Sequence, residues 1–299
     1  IIRKNSLINR AIRNYFRFIH STYSQWERHW RISGKAKFLF QTIEIKMHGK
    51  CDDSILDSLY YGANYSESPE LRLFHLLANG GKKTVFDLGA NTGIYSLIRG
   101  KGFPEDQIFS FEPNPVNYTR LVDNVKLNAL TNVQTFPFAV GAPKADLSFY
   151  VPKSDIISDT SSTSSQFSNS TYGGQLAWKE IKVSQLTLDS FCAENNLNQV
   201  NLMKIDVEGH EIDVLEGARE IIAKSKPIIL IESFLNESKT RFLKNFVLEN
   251  KYMVYLVLGE GIVRTDREFE KNARSNFLLM SYRTENIFTS YEDLMKSVE

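Results

Sequence analysis

The sequence predicts an α/β fold with a mostly parallel sheet, and three stretches carry that expectation. The first is Thr84-Val-Phe-Asp-Leu-Gly-Ala-Asn-Thr-Gly-Ile-Tyr-Ser-Leu97. A short apolar run ends in Asp87, Gly89 and Gly93 follow at turn positions, and a helical apolar pattern (Ile94, Leu97, Ile98) begins at once. The second is Gln107-Ile-Phe-Ser-Phe-Glu112, a strand pattern ending in a carboxylate 25 residues after Asp87. That spacing fits one strand–helix–strand crossover. The third is Asn201 to Glu211. There, Leu202 to Val207 reads as a buried strand, and Gly209 opens a helical pattern through Ile212, Leu215, Ala218 and Ile222.

The remaining elements follow in chain order. Residues 1–80 read as an N-terminal helical, basic extension with a short strand pair at 38–47, and residues 81–299 as the main domain. Residues 1–40 hold nine Lys or Arg against Glu27 alone, a net charge of +8. Ile8, Ile12, Tyr15, Phe16, Ile19 and Tyr23 form one helical stripe, with Arg10, Arg13 and Arg17 opposite. Packing of that stripe on the domain is the favoured reading, and peripheral contact with an anionic membrane through residues 1–40 is the alternative. Leu71 to Leu77 reads as the helix leading into the first core strand. Asn117 to Leu127 fits the second crossover helix, Val133 to Ala139 the third strand and Leu147 to Val151 a further short strand.

Residues 153–180 are Ser-rich and break the pattern, as a lid or binding loop does. Their hydroxyls, with Tyr172 and Trp178, suit a polar acceptor. Thr187 to Glu194 starts a helix, Pro227 to Ser233 is a strand carrying Glu232 near its end, and Lys239 to Glu249 is amphipathic. Tyr252 to Leu258 and Asn276 to Ser281 are β-rich, with a reversal at Gly259-Glu-Gly261.

The loop chemistry points to a nucleoside cofactor at the strand tips. Gly89 supplies a positive φ, Asn91 tolerates the left-handed region, and Gly93 permits close approach of helix and ligand. Glu112 is placed to accept hydrogen bonds from ribose hydroxyls. Nicotinamide dinucleotides and S-adenosylmethionine share that ribose. Asp87 suits the ammonium of the latter, directly or through water. Pro113 and Pro115 end the strand and make a rigid turn under the ribose. Ala139, with Phe138 and Val140, is expected beside the adenine. Asp206, Glu208 and His210 crowd the lip of a central strand, and Asp206 counts both as a cofactor ligand and as a catalytic candidate.

The strings Val-Phe-Asp-Leu-Gly-Ala-Asn-Thr-Gly (85–93), Phe-Glu-Pro-Asn-Pro (111–115), Phe-Ala-Val-Gly (138–141) and Lys-Ile-Asp-Val-Glu-Gly-His-Glu (204–211) occur in this order. Together they resemble the FkbM-type family of S-adenosylmethionine-dependent methyltransferases over roughly residues 84 to 258. The resemblance implies a class I methyltransferase (Rossmann-like) sheet with an antiparallel final strand. It implies S-adenosylmethionine as cofactor and methyl transfer to a hydroxyl of a sugar, polyketide or other small molecule, glycans and lipid-linked acceptors included. Asp87, Gly89 and Glu112 fall on its cofactor motifs. Asp206, Glu208 and His210 fall on its motif after the fourth strand. The N-terminal arm and the Ser-rich insert lie outside the match, so the acceptor stays open.

A hydroxyl needs a base to become a good nucleophile. His210 is the first choice because imidazole titrates near neutrality, with Glu208 and Asp206 as alternatives. No metal is expected. Asp206, Glu208, His210 and Glu232 are suitable ligand types, but no paired-Cys or H-E-x-x-H spacing accompanies them.

Composition narrows the partners little, because 36 basic residues balance 35 acidic ones. Nucleic acid is not expected: no Asp/Asn-Pro-Pro-Tyr/Phe motif follows the fourth strand. A nicotinamide-dependent oxidoreductase is the competing enzyme, yet neither Tyr118 nor Tyr172 has a Lys four residues on. A membrane-associated, non-catalytic binding module is the other alternative. No apolar run is long enough to span a bilayer, and the first residues lack the continuous apolar core of a secretory signal. Cys51 and Cys192 make no disulfide framework. The expected location is cytoplasmic, with peripheral membrane attachment as a variant.

Overall fold

The structure is a computed structural model that describes residues 34–49, 69–78, 80–142, 146–152, 178–234, 236–258, 261–265 and 274–281. A hairpin of β1 (Gly34–Phe40) and β2 (Ile43–Gly49) and helix α1 (Pro69–Leu76) come first. Next are β3 (Thr84–Leu88), α2 (Ile94–Gly102), β4 (Gln107–Phe111), α3 (Pro115–Leu127) and β5 (Val133–Phe136). A small separate sheet holds β6 (Ala139–Val140), β7 (Asp146–Pro152) and β8 (Trp178–Leu186). Then follow α4 (Leu188–Glu194), β9 (Leu202–Ile205), α5 (Glu211–Glu216), α6 (Arg219–Ser225) and β10 (Ile228–Phe234). The chain continues through α7 (Glu237–Asn250), β11 (Tyr252–Leu258), β12 (Gly261–Arg264) and β13 (Arg274–Ser281).

The main sheet has the order β12-β11-β13-β10-β9-β3-β4-β5. β3, β4, β5, β9 and β10 are parallel, and β13 inserts antiparallel between β10 and β11. This is the class I methyltransferase arrangement. Chain order reverses between β3 and β9, so a crevice opens at their carboxyl ends.

Alternation along the central strands explains the layering. Val85, Leu202 and Leu230 face a core shared with α1, α2 and α3. Phe86, Met203 and Ile231 face the other core, shared with α4, α5, α6 and α7. A sheet buried on both faces needs apolar residues at successive positions, and these strands have them.

The hairpin joins the first core through Phe40, Ile45 and Met47. Its edge is held by two asparagines four residues apart, Asn124 in α3 and Asn128 capping its C-terminus. Asn128 accepts from Lys46 N–H (2.9 Å) and donates to Lys46 C=O (2.6 Å), imitating a strand partner. Asn124 accepts from His48 N–H at 2.6 Å. Behind the first core strand, fully buried Arg99 pairs with Asp106 (2.7 Å) and donates to the carbonyls of His75, in the last turn of α1, and Leu77, just beyond it. Such a pair adds little over apolar packing, but removing one partner costs about 3–5 kcal/mol.

Four expectations are corrected. The strand expected at 133–139 is two strands in different sheets, because Pro137 lacks the N–H that would continue the ladder. The helix expected after Gly209 is interrupted at Gly217, which lies so close to Gly141 that a Cβ would sit 2.0 Å from the Gly141 carbonyl oxygen. Pro115 opens α3 at its first turn, under an Asn114 side chain that caps Val116 N–H at 3.0 Å. β11 pairs antiparallel with β13 as expected, but the chain reaches β13 only after an extra edge strand, β12, that pairs with the other side of β11. The proposed basic helix in residues 1–33, residues 50–68, Tyr172 and most of the Ser-rich segment (153–177) lie outside the described residues. Among the described residues, no helix is long and apolar enough to cross a membrane.

Candidate active site

An open cleft lies at the carboxyl ends of β3, β4 and β9. One wall is the turn after β3. Gly89 has φ 79°, and a Cβ there would sit 1.8 Å from the Asp206 carbonyl oxygen. Only glycine lets the two strand ends approach this closely. Asn91 takes the left-handed conformation at φ 52°, as its residue type allows. Gly93 has φ 101° and presses toward Leu121 of α3.

Glu112 sits at the lip, 4% exposed. Its two oxygens accept from Asn91 N–H and Asn114 N–H, each at 2.8 Å. Burial raises its pKa to about 7, against the pull of these two amides; the Asp87 and Asp206 charges push the same way as burial. Pro113 and Ala139 line the cleft, with the flanking Phe138 and Val140. Leu147 and Phe149 of β7 extend this apolar side.

Asp87 is placed differently from the other acids. It is fully buried and does not line the cleft. Its Oδ2 accepts from Ser96 Oγ at 2.5 Å, and Ser96 in turn contacts Ser110 Oγ at 2.7 Å. Burial pushes its carboxyl up, and the Lys204 ammonium opposes that shift. Asp87 therefore acts on the cleft through its neighbours and its charge.

The segment after β9 supplies Asp206, Glu208 and His210, all of which line the cleft. Asp206 Oδ2 pairs with Lys204 Nζ at 3.0 Å. Glu208 is half-buried in a left-handed conformation, φ 49°, which is unusual for a residue with a side chain. Turning the chain there, together with Gly209 at φ 110°, brings His210 back to the cleft. His210 is flanked by two acceptors: Asp213 Oδ2 lies 3.2 Å from Nδ1, and Gln185 Oε1 lies 3.1 Å from Nε2. Gln185 is itself oriented by donating to the Ala142 carbonyl. Glu232 does not line the cleft. Among the described residues no group of three or more His, Cys, Asp or Glu is arranged to hold a metal.

Three residues of this site escape a sequence reading. Lys204 lines the cleft and lies two positions before Asp206, so alternation along a strand puts both side chains on one face. Asp213 lies three residues after His210, the spacing of neighbours on a helix. Gln185 carries no sequence signal, because only the small sheet brings β8 to the cleft.

A family model described as the methyltransferase FkbM domain matches residues 87–254. The chain is 31% identical over 143 residues to Methyltransferase 1 of Beauveria bassiana, across 44% of this chain and 57% of the relative. It is 28% identical over 149 residues to the 2-O-methyltransferase NoeI of Sinorhizobium fredii, across 48% of this chain and 60% of the relative. It is 25% identical over 148 residues to the hexuronic acid methyltransferase AglP of Haloferax volcanii, across 50% of this chain and 54% of the relative. In each case the match covers less than two thirds of the relative. The family match takes in more than half of the chain and runs from the buried acid of β3 through β11, so the chain belongs to the FkbM methyltransferase family.

Proposed function

We propose that this protein is an S-adenosylmethionine-dependent O-methyltransferase whose acceptor is a hydroxyl of a sugar or another small polar molecule. The observation that carries the reading is Glu112. Two backbone amides fix its carboxylate at the lip of the cleft, next to a turn that only Gly89 can make. Each carboxylate oxygen can accept a second hydrogen bond, which suits paired ribose hydroxyls. The apolar side at Phe138, Ala139 and Val140 suits the flat base. The sugar-type acceptor takes its support from the relatives named 2-O-methyltransferase and hexuronic acid methyltransferase.

S-adenosylmethionine, when bound, supplies a methyl carbon activated by its sulfonium. The chain's task is to hold the acceptor in line with that carbon and take the hydroxyl proton as the O–C bond forms and the methyl C–S bond breaks, leaving a neutral thioether. His210 is the proposed base. Asp213 faces Nδ1 and favours the tautomer with its lone pair on Nε2. Gln185 faces Nε2 with its amide oxygen, so that contact must yield to the acceptor hydroxyl before Nε2 can receive a proton. Glu208 and Asp206 stand by as alternatives, but Asp206 is already committed to Lys204 through one oxygen.

Calorimetry with S-adenosylhomocysteine and with NAD tests the cofactor. S-adenosylhomocysteine is expected to bind, and Glu112→Ala to weaken it roughly 100-fold, as the loss of charge-assisted hydrogen bonds implies. Binding of NAD in its place, or an unchanged affinity in Glu112→Ala, overturns the reading.

A further inference from the structure

Lys204 is the charge on the cleft wall that the catalytic proposal does not use. It is 5% exposed, lines the cleft and donates to Asp206, whose side chain is 27% exposed. Its Nζ also lies 4.5 Å from the centre of the Tyr95 ring, which is a cleft residue too. A buried ion pair is a poor source of stability, because desolvation offsets most of the attraction. Placing one on the floor of a ligand cleft therefore calls for a reason in binding. Asp87 lies behind the pair, out of the cleft. Burial pulls the ammonium toward its neutral form, and the Asp206 and Asp87 charges, with a smaller one from Glu232, more than reverse that pull.

We propose that Lys204 and Asp206 form a two-sided clamp for the amino-acid end of the cofactor, Lys204 taking its carboxylate and Asp206 its ammonium. An α-amino acid carries opposite charges two bonds apart on one carbon. Lys204 Nζ and Asp206 Oδ2 present opposite charges side by side at 3.0 Å, so each charge of the ligand meets its complement. An ammonium has three N–H donors, and Asp206 takes one of them. The charge balance agrees. Asp87, Asp206 and Lys204 together sum to one negative charge when ionised, and S-adenosylmethionine brings one net positive charge. Asp87 then serves from behind, by holding Lys204 charged without competing for the ligand's ammonium. This assignment rests on the cofactor reading given above.

The test compares S-adenosylmethionine with its decarboxylated form, which differs only by the carboxylate, in calorimetry without any acceptor. Wild-type protein is expected to bind the decarboxylated form at least about tenfold more weakly. Lys204→Met is expected to bind both forms alike, at the weaker level. Lys204→Gln, which keeps a polar head in the same place, serves if the Met variant melts early. Wild-type binding of both forms with equal affinity overturns the clamp while leaving the cofactor reading in place. So does a Lys204 variant that still discriminates between them. Binding of neither form by the wild type removes the cofactor reading itself, and the clamp with it.

Discussion

Residues 89–114 hold the Glu112 lip of the cleft together by bonds among themselves, whereas the His210 face draws on three separate stretches of chain. At the lip, Gly89 N–H and Ala90 N–H both donate to the Phe111 carbonyl, and Glu112 returns two bonds to Asn91 and Asn114. At the other face, Gln185 of β8 meets His210 before α5, and Asp213 of α5 meets the opposite ring nitrogen. Gly141 and Gly217 make room for this by touching almost backbone to backbone. A lip closed on itself tolerates change elsewhere. A face assembled from distant pieces can be remodelled by any one of them while the Glu112 lip stays as it is.

Two alanine substitutions separate the regions most sharply. In Gly89→Ala the new Cβ meets a carbonyl oxygen at 1.8 Å in a left-handed backbone, and neither can give way. The expected result is loss of S-adenosylhomocysteine binding and on the order of 3 kcal/mol of stability. In Gly141→Ala the Cβ meets side chains instead, His210 Nε2 at 2.6 Å and Gln185 Cδ at 3.0 Å. That protein should fold and bind S-adenosylhomocysteine within about threefold of wild type. Its His210 ring resonances in NMR should move. Equal damage to cofactor binding by both variants would erase the distinction.

The same contrast explains what the sequence discloses. The loop from Asp87 to Gly93, Glu112 and the strand spacing are local, so turn chemistry and alternation suffice to read them. Asn91 and Gly89 adopt the positive φ expected of them. Asp87 shows the limit: its position at a strand end is legible, but its full burial against Ser96, outside the lining of the cleft, is not, and no periodicity reveals that. The division of residues 133–140 between two sheets turns on Pro137, a local signal, whereas the break of the segment after Gly209 into two helices comes with the close approach of Gly217 to Gly141, which is distant in sequence. Alternation places Lys204 on the same face as Asp206, but its meaning depends on Asp87 lying behind it, which no pattern in the sequence marks.

The lip also predicts a pH dependence. In the ligand-free fold Glu112 titrates near 7, raised chiefly by burial and further by Asp87 and Asp206. An acid with a raised pKa supports the fold fully below its unfolded value of 4.5, and that support is lost as pH rises through about 7. In the proposed complex ribose hydroxyls donate to the ionised form, so binding has the opposite sign. Affinity for S-adenosylhomocysteine should rise up to about tenfold per pH unit below 7 and level off above it, with a proton released on binding at the lower pH. Calorimetry in buffers of different ionisation enthalpy reads that proton. Glu112→Gln should flatten the profile, and a slope that survives this change would assign the titration to Asp87, whose carboxyl burial also pushes up.

The smallest effect tests whether the lip is as self-sufficient as its own bonds suggest. Asn124 is fully buried on α3, accepts from His48 N–H of β2 and donates to the Thr92 carbonyl at 2.9 Å. Thr92 lies between the two left-handed residues Asn91 and Gly93, so one carboxamide ties the hairpin to the cofactor turn from behind. Asn124→Asp keeps the acceptor for His48 but turns an oxygen toward the Thr92 carbonyl. One lost hydrogen bond with a facing acceptor should weaken S-adenosylhomocysteine binding about five- to tenfold. Asn128→Ala removes the Lys46 rung and leaves the Thr92 bond intact, so it should lower the melting temperature with little change in that affinity. If both variants change affinity equally, the hairpin acts on the lip through general stability. If only Asn124→Asp does, the hairpin before the first core strand is part of the cofactor site, and the boundary at residue 80 divides the sequence but not the working unit.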